Sequence, residues 1–251
     1  MKIFEGKKAV VIGGSGAIGK SIAAMLCKNG ARVLIQGKTA SKLEKAAEYI
    51  KVETGAEVEI FQCDFSEVVF EKKIETIIKT VLQSTDILCV CYGPFLQTDL
   101  HKMTAEQWKN IALLDYALPG MLVSSVLNYM TEKSWGRILL FGGTGTNFRS
   151  EYKTNAAYAG AKTGIGVLVQ STAACYGNNG ITCNGILPGF VETEYINTET
   201  KHLLEEKIPG KTLISPDSIA KSAEFLLSNK DLNGVLLKID RGWSPVTSNL
   251  A

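Results

Sequence analysis

Short apolar runs alternate along the chain with longer segments in which apolar residues recur with a helical period. The strand-like runs are 8–13, 32–36, 57–63, 86–92, 136–142, 181–187 and 234–240. The helix-like segments between them are 18–29, 40–53, 66–83, 104–132, 155–178 and 215–228. The first strands are almost continuously apolar, which is typical of a sheet covered on both faces. The pattern therefore predicts an α/β fold, in which a doubly wound parallel sheet of about seven strands carries helices on both faces.

Composition and charge narrow the class of protein. The 251 residues are 45% apolar and 21% charged, which predicts one domain over residues 1–251 rather than two. The formal net charge is +2, and the lysines and arginines form no basic stripe, so we expect no nucleic-acid partner. The longest apolar runs fall short of a membrane span, and the N-terminal residues lead into a strand pattern without a signal-peptide core. We therefore expect a cytoplasmic protein without a membrane partner.

The cysteines and histidines do not suggest a metal site. Six cysteines are present, none of them in a C-x-x-C pair, and His101 and His202 are isolated in sequence. Reduced cysteines that pack as small apolar residues account for this pattern better than chelation does. We expect no metal.

A glycine-rich turn, "VVIGGSGAIGKSIA", joins the first strand to the first helix. Ligands of doubly wound sheets bind at the carboxyl ends of the strands, which is where this turn lies. Its glycines allow the backbone to approach a pyrophosphate, and the following helix offers free N–H groups to the anion. Gly14, Gly16 and Gly19 satisfy G-x-G-x-x-G, whereas Gly13 and Gly19 fit a longer-spaced turn. The expected dinucleotide contacts are Gly13, Ser15, Gly16, Ala17, Ile18 and Gly19.

The ends of the second and third strands bear on the choice of dinucleotide. An NAD-binding fold usually places an acid at the end of the second strand to hold the ribose 2′-OH, but this end reads Gln36, Gly37, Lys38. Lys38 could face the 2′-phosphate of NADP, or it could be a solvated loop lysine. These features favour NADP, with NAD still possible. Asp64, after the third strand, could accept a hydrogen bond from the adenine amino group, cap the next helix, or do both.

Tyr158 and Lys162 lie four residues apart in the small-residue stretch "NAAYAGAKTG". On a helix this spacing brings the two side chains onto one face, about 5–6 Å apart at Cβ. A free tyrosine has a pKa of about 10, and a neighbouring ammonium or an oxidised nicotinamide ring favours its phenolate. Tyr158 is therefore a candidate general acid or base, with Lys162 lowering its pKa. A surface pair with no chemical role has the same spacing.

Taken together, these motifs resemble the short-chain dehydrogenase/reductase family, in its simple single-domain form, from Lys7 to about Trp243. The resemblance implies a Rossmann-type fold, a nicotinamide cofactor, and assembly into a dimer or tetramer. It assigns the glycine turn to the pyrophosphate, although Ala17 stands where the family usually has a glycine. It also implies that Tyr158 and Lys162 are catalytic, that Lys162 contacts the nicotinamide ribose, and that Asp64 contacts the adenine. The segment "NGILPGFVETE" resembles the one that borders the nicotinamide, which adds Pro188, Gly189, Val191 and Thr193.

Three departures from the family pattern surround the expected site. After the fourth strand the chain reads "VCYG", which puts bulky Tyr92 before the expected cofactor contact Gly93. Asp115 stands where the family has an asparagine that serves a catalytic proton relay through its backbone. Asp115 could serve this relay in the same way, but its charge would perturb Lys162. The catalytic serine of the family, which polarises the substrate oxygen, has no counterpart in "FGGTGTNFRS". We expect Thr144 to replace this donor, although it could be an ordinary turn residue.

The leading hypothesis is an NAD(P)-dependent oxidoreductase that interconverts a ketone and a secondary alcohol, with Tyr158 handling the proton. The alternative is a dinucleotide-binding protein with weak or no catalysis, acting as a sensor or an assembly subunit. The missing serine, Tyr92 and Asp115 favour that alternative. We also expect residues 190–212 to form a lid over the substrate.

Overall fold

The computed structural model describes residues 2–68, 74–148, 151–152, 154–194 and 196–243. Within these ranges, seven parallel strands form one sheet in the order β3-β2-β1-β4-β5-β6-β7. The strands are β1 Lys8–Ile12, β2 Arg32–Gly37, β3 Glu59–Gln62, β4 Ile87–Val90, β5 Gly136–Phe141, β6 Ile181–Pro188 and β7 Leu236–Ile239. The predicted doubly wound sheet is confirmed, and its order reverses between β1 and β4, where such folds bind their ligands.

Helices cover both faces of the sheet. They are α1 Ala17–Lys28, α2 Ala40–Thr54, α3 Phe65–Val68, α4 Ile74–Val81, α5 Ala105–Ala112, α6 Leu118–Glu132, α7 Ala156–Tyr176, α8 Thr198–Lys207 and α9 Pro216–Ser228. One apolar core lies between the sheet and α1, α2 and α9, and a second lies between the sheet and α4, α6 and α7. The central strands β1, β4 and β5 are buried along almost their whole length, which explains their continuously apolar sequences.

The predicted helix 104–132 contains an irregular turn. Between α5 and α6 the chain forms a π-helical turn, Leu113–Ala117, with Asp115 in its centre.

In the described part of the chain, the continuous helical stretch Ala105–Glu132 is long and apolar enough to cross a membrane by length and composition. Half of its most apolar window is buried in the fold.

The predicted lid, residues 190–212, leaves the sheet after β6 and returns to a point close to where it left. An isolated parallel bridge joins Val191 to Ile214, so the two ends of the excursion are held together. The helix α8 within it buries none of its residues. Tyr195 lies outside the described residues. This segment is thus anchored at its base and buries Ile208 just after α8, and its role as a lid stays a prediction.

Candidate active site

The expected functional residues gather at the carboxyl edge of the sheet. The glycine turn follows β1, Lys38 follows β2, Asp64 follows β3, Gly93 follows β4, Thr144 follows β5, and Pro188 ends β6, followed by Gly189, Val191 and Thr193. Tyr158 and Lys162 lie in the first two turns of α7, while Asp115 reaches the same region from the π-helical turn. The strand pattern predicted this edge, because parallel strands all end on the same side.

The glycine turn packs tightly against the start of α1. A Cβ atom at Gly19 would lie 2.3 Å from the carbonyl oxygen of Gly13, so only glycine allows the helix to begin so close to the turn. Gly16 is the N-cap of α1 and offers no side-chain hydrogen bond, and the first turn of the helix contains no acidic residue. Its free N–H groups and positive dipole end therefore suit an anionic group such as a pyrophosphate.

Gln36 links the glycine turn to the neighbouring strands, a role that the sequence analysis missed. Its side chain is 2% exposed, accepts a hydrogen bond from the Gly13 N–H at 3.2 Å and donates to the Cys63 carbonyl at 2.6 Å. The signal in the sequence was a polar amide at the end of an otherwise apolar strand. Gln36 thus fixes the turn instead of contacting a ribose as an acid at the end of β2 would.

Lys38 and Asp64 form an ion pair, with 2.6 Å between Nζ and Oδ2. The other carboxylate oxygen of Asp64 accepts from the backbone N–H and the hydroxyl of Ser66, which confirms its role as a helix cap. Partial burial works against ionisation of Asp64, but hydrogen bonds from Lys38 and Ser66 keep its pKa below the ordinary value. The Lys38 side chain is 67% exposed, so its ammonium is open to solvent.

Tyr158 lies at the centre of the candidate site. Its ring meets that of Phe95 edge to face, with centroids 5.1 Å apart, and the Lys162 ammonium lies 5.7 Å from its ring centroid. Hydrogen bonds from Thr98 and Gln97 to Thr154 tie the loop that carries Phe95 to the start of α7. The phenol thus lies between the loop that carries Phe95 and the Lys162 ammonium.

Lys162 is paired with Asp115 rather than free to act on Tyr158 alone. The ammonium lies 2.9 Å from Asp115 Oδ1, and the two side chains are 5% and 0% exposed. The pKa of Tyr158 lies well above its ordinary value because the ring is buried and because Asp115 is negatively charged. That Lys162 lowers the pKa of Tyr158 stays a prediction, and in this arrangement burial and the Asp115 carboxylate act in the opposite direction.

The resemblance leaves Gly142, Gly143 and Gly145 as counterparts of the family serine, and of these Gly143 lies beside the Tyr158 and Lys162 side chains. A Cβ atom built at Gly143 would lie 3.8 Å from Tyr158 Cε1, 3.8 Å from Lys162 Cβ and 3.4 Å from Thr146 Cγ2. The hydroxyl of Thr144 donates instead to Asp240 Oδ2 at 2.9 Å. A hydroxyl has one proton to donate, so the role expected for Thr144 is not available while this bond is made. The Thr146 hydroxyl likewise donates to the Gly143 carbonyl at 2.7 Å.

The start of α1 without a side-chain cap and the tyrosine–lysine pair lie at the same sheet edge, an arrangement typical of folds that bind dinucleotides. The chain belongs to the short-chain dehydrogenase family, whose sequence model matches residues 7–203. It is therefore an NAD(P)-dependent oxidoreductase of the dehydrogenase/reductase type, as the resemblance implied.

Individual relatives cover almost the whole chain. It is 29% identical to the 3-oxoacyl-acyl-carrier-protein reductase FabG of Vibrio cholerae, with 90% of this chain and 91% of the relative covered. It is 26% identical to a D-beta-hydroxybutyrate dehydrogenase of Cupriavidus necator, with 96% and 99% covered. Among solved structures, a putative 2-deoxy-D-gluconate 3-dehydrogenase of Agrobacterium tumefaciens with bound NADP shares the fold, with a TM-score of 0.83 at 22% identity, covering 95% and 96% of the two chains.

Proposed function

We propose that this protein uses NADP to interconvert a ketone and a secondary alcohol, with Tyr158 as general acid in reduction and general base in oxidation. The observation that carries the proposal is the position of the phenol. It lies beside Lys162 and Gly143, at the sheet edge where the glycine turn presents the free start of α1. A bound nicotinamide dinucleotide would supply the hydride for reduction or take it up in oxidation.

Several residues of the chain are suited to hold the dinucleotide. The N–H groups of the glycine turn suit the pyrophosphate, Asp64 the adenine, and Lys38 the 2′-phosphate. Lys162 suits the nicotinamide ribose. The segment after β6, with Pro188, Gly189, Val191 and Thr193, is our candidate for the nicotinamide itself, and the Gly189 N–H is fixed by a 2.8 Å hydrogen bond to the Ile239 carbonyl.

The proton moves through Tyr158 in this proposal. During reduction the phenol donates its proton to the carbonyl oxygen while the carbonyl carbon accepts the hydride, which gives the alcohol. During oxidation the phenolate removes the hydroxyl proton. The raised pKa of Tyr158 favours the protonated form, which is the form that donates the proton in reduction.

The substrate class can be approached from the two relatives. One relative is named for 3-oxoacyl groups and the other for beta-hydroxybutyrate, and both groups have an oxygen function at the third carbon. We propose a 3-oxoacyl compound as the first substrate to examine. The anchored excursion 190–212 would cover it as a lid, and exposed Phe95 beside Tyr158 would form an apolar wall.

The test is NADPH consumption by the purified protein on a panel of 3-oxoacyl thioesters, acetoacetate and unrelated ketones. Turnover on any member, together with NADPH binding followed by fluorescence, supports the proposal. Tight NADPH binding without turnover on the whole panel would instead support the alternative of a dinucleotide-binding sensor or assembly subunit. Two observations favour that alternative, namely the absence of a side chain at Gly143 and the neutralisation of Lys162 by Asp115.

The preference for NADP has its own test at Lys38. Lys38→Ala removes the exposed cation that we assign to the 2′-phosphate, so the Kd for NADPH is expected to rise about tenfold while that for NADH changes little. Lys51→Ala is the matched control, because Lys51 is also exposed and also paired, with Glu57 at 2.9 Å. Equal weakening of NADPH and NADH binding by Lys38→Ala would exclude the assignment.

We further propose that the protein is cytoplasmic and that it assembles as a dimer or tetramer, as the family resemblance implies. Light scattering of the purified protein gives the assembled mass directly.

A further inference from the structure

Asp115 is an unusual residue to find at the centre of a protein. It is 0% exposed and lies in a π-helical turn, an irregularity that often marks functional positions. Its Oδ1 atom pairs with Lys162, and within the described residues its buried Oδ2 atom has no hydrogen-bond partner. A buried carboxylate with an unsatisfied oxygen is costly, so its presence calls for an explanation.

The surroundings of Asp115 are shaped to the ion pair. A Cβ atom at Gly93 would lie 2.2 Å from Asp115 Oδ1 and 2.7 Å from Lys162 Nζ, so any side chain at this position would collide with the pair. The glycine at the end of β4 therefore makes room for carboxylate and ammonium to meet. The ion pair is therefore buried within the fold and is not formed by flexible side chains at the surface.

The titratable groups around this pair come from two directions. Lys162 and Tyr158 face Asp115 from α7, and Tyr92 faces it from the loop that follows β4. Cys91, in the same loop, interacts with Lys162. Burial and the charges of Asp64 and Asp115 raise the pKa of Tyr92 to about 12, and burial raises the pKa of Asp115 against the lowering effect of Lys162. Lys162 and Asp115 are the two members of this group that form an ion pair.

We infer that Asp115 is a positioning residue that fixes Lys162 and cancels its charge, so that Tyr158 keeps its proton to a higher pH than lysine alone would allow. An ammonium favours the nearby phenolate, whereas an ammonium with a carboxylate 2.9 Å away acts on the phenol as a dipole of much weaker effect. The inference rests on the proposed function for its catalytic meaning. The electrostatic effect itself concerns only side chains of this chain.

Carbon-13 NMR of protein labelled at tyrosine Cζ measures the effect without any turnover. The Tyr158 resonance is assigned by its loss in Tyr158→Phe, and its shift is followed as pH is raised as far as the protein stays folded. In Asp115→Asn, which keeps the shape but removes the charge, Tyr158 is expected to ionise at a pH about one unit lower or more. Asp86→Asn is the matched control, because Asp86 is also buried but accepts from the Lys8 N–H at the opposite edge of the sheet.

An unchanged Tyr158 titration in folded Asp115→Asn would overturn the inference. Should that variant not fold, Asp115→Ser, which also removes the charge, takes its place in the same titration. A second readout is the pH profile of kcat/KM for alcohol oxidation, whose rising limb is expected to move to lower pH by the same amount. A shifted NMR titration in a protein that turns over no substrate would support the inference while refuting the proposed function.

Discussion

Replacing Tyr158 with phenylalanine is expected to lower kcat/KM for ketone reduction by about 10³, with NADPH affinity changed by no more than about twofold. The substitution removes the phenol oxygen and leaves the ring, so the edge-to-face contact with Phe95 is kept. What is lost is the proton donor to the substrate oxygen, which acts only in the reaction. Steady-state kinetics and NADPH fluorescence measure the two quantities separately.

Tyr176→Phe is the matched control for this experiment. Tyr176 is the last residue of α7, the helix that carries Tyr158, and it is partly buried in the second core cluster. Because Tyr176 lies at the opposite end of α7 from Tyr158, its substitution is expected to leave kcat and KM unchanged. Retention of activity in Tyr158→Phe beyond about a tenth of the wild-type value would mean that another group donates the proton.

Gly143→Ser is expected to raise kcat for ketone reduction by about 10², the effect of gaining one preorganised hydrogen-bond donor at the substrate oxygen. The space for the new side chain exists, since its Cβ would make ordinary contacts with Tyr158, Lys162 and Thr146 at 3.4 to 3.8 Å. A serine hydroxyl there would stand next to the phenol. The measurement is kcat on the best ketone of the panel, for wild type and variant side by side.

Gly143→Ala separates the hydroxyl from the added carbon. It places the same Cβ in the same position without a donor, so kcat is expected to stay near the wild-type value. Equal rates for the serine and alanine variants would refute a donor role at this position. If the wild-type protein shows no turnover and the Gly143→Ser variant does, the natural chain is a dinucleotide-binding protein that lacks a hydrogen-bond donor needed for catalysis.

The strands of the sheet could be predicted because an apolar run is a local feature of the sequence. All seven strand-like runs form strands, since an apolar run between glycine-rich turns has few other solutions in a doubly wound fold. The ends differ by a few residues, as for the third strand, predicted at 57–63 and found at Glu59–Gln62. Periodicity gives the existence of an element more reliably than its limits.

The details of the site depended on contacts that a sequence pattern does not contain. The helix predicted at 104–132 gave no sign of its π-helical turn, because that turn accompanies the approach of Asp115 to Lys162 from another element. Thr144 was the obvious hydroxyl in its loop, yet its partner Asp240 lies 96 residues further along the chain. Lys38 and Asp64 were treated as separate ligands of the dinucleotide, whereas the fold pairs them.

The Thr144–Asp240 hydrogen bond also links the surroundings of Tyr158 to a distant part of the fold. Asp240 follows β7 and is held in turn by Lys238, at 3.1 Å, and by the Gly242 N–H. The loop that borders Tyr158 is therefore braced by the last strand of the sheet. Fusions or substitutions near β7 are therefore expected to alter turnover as well as stability.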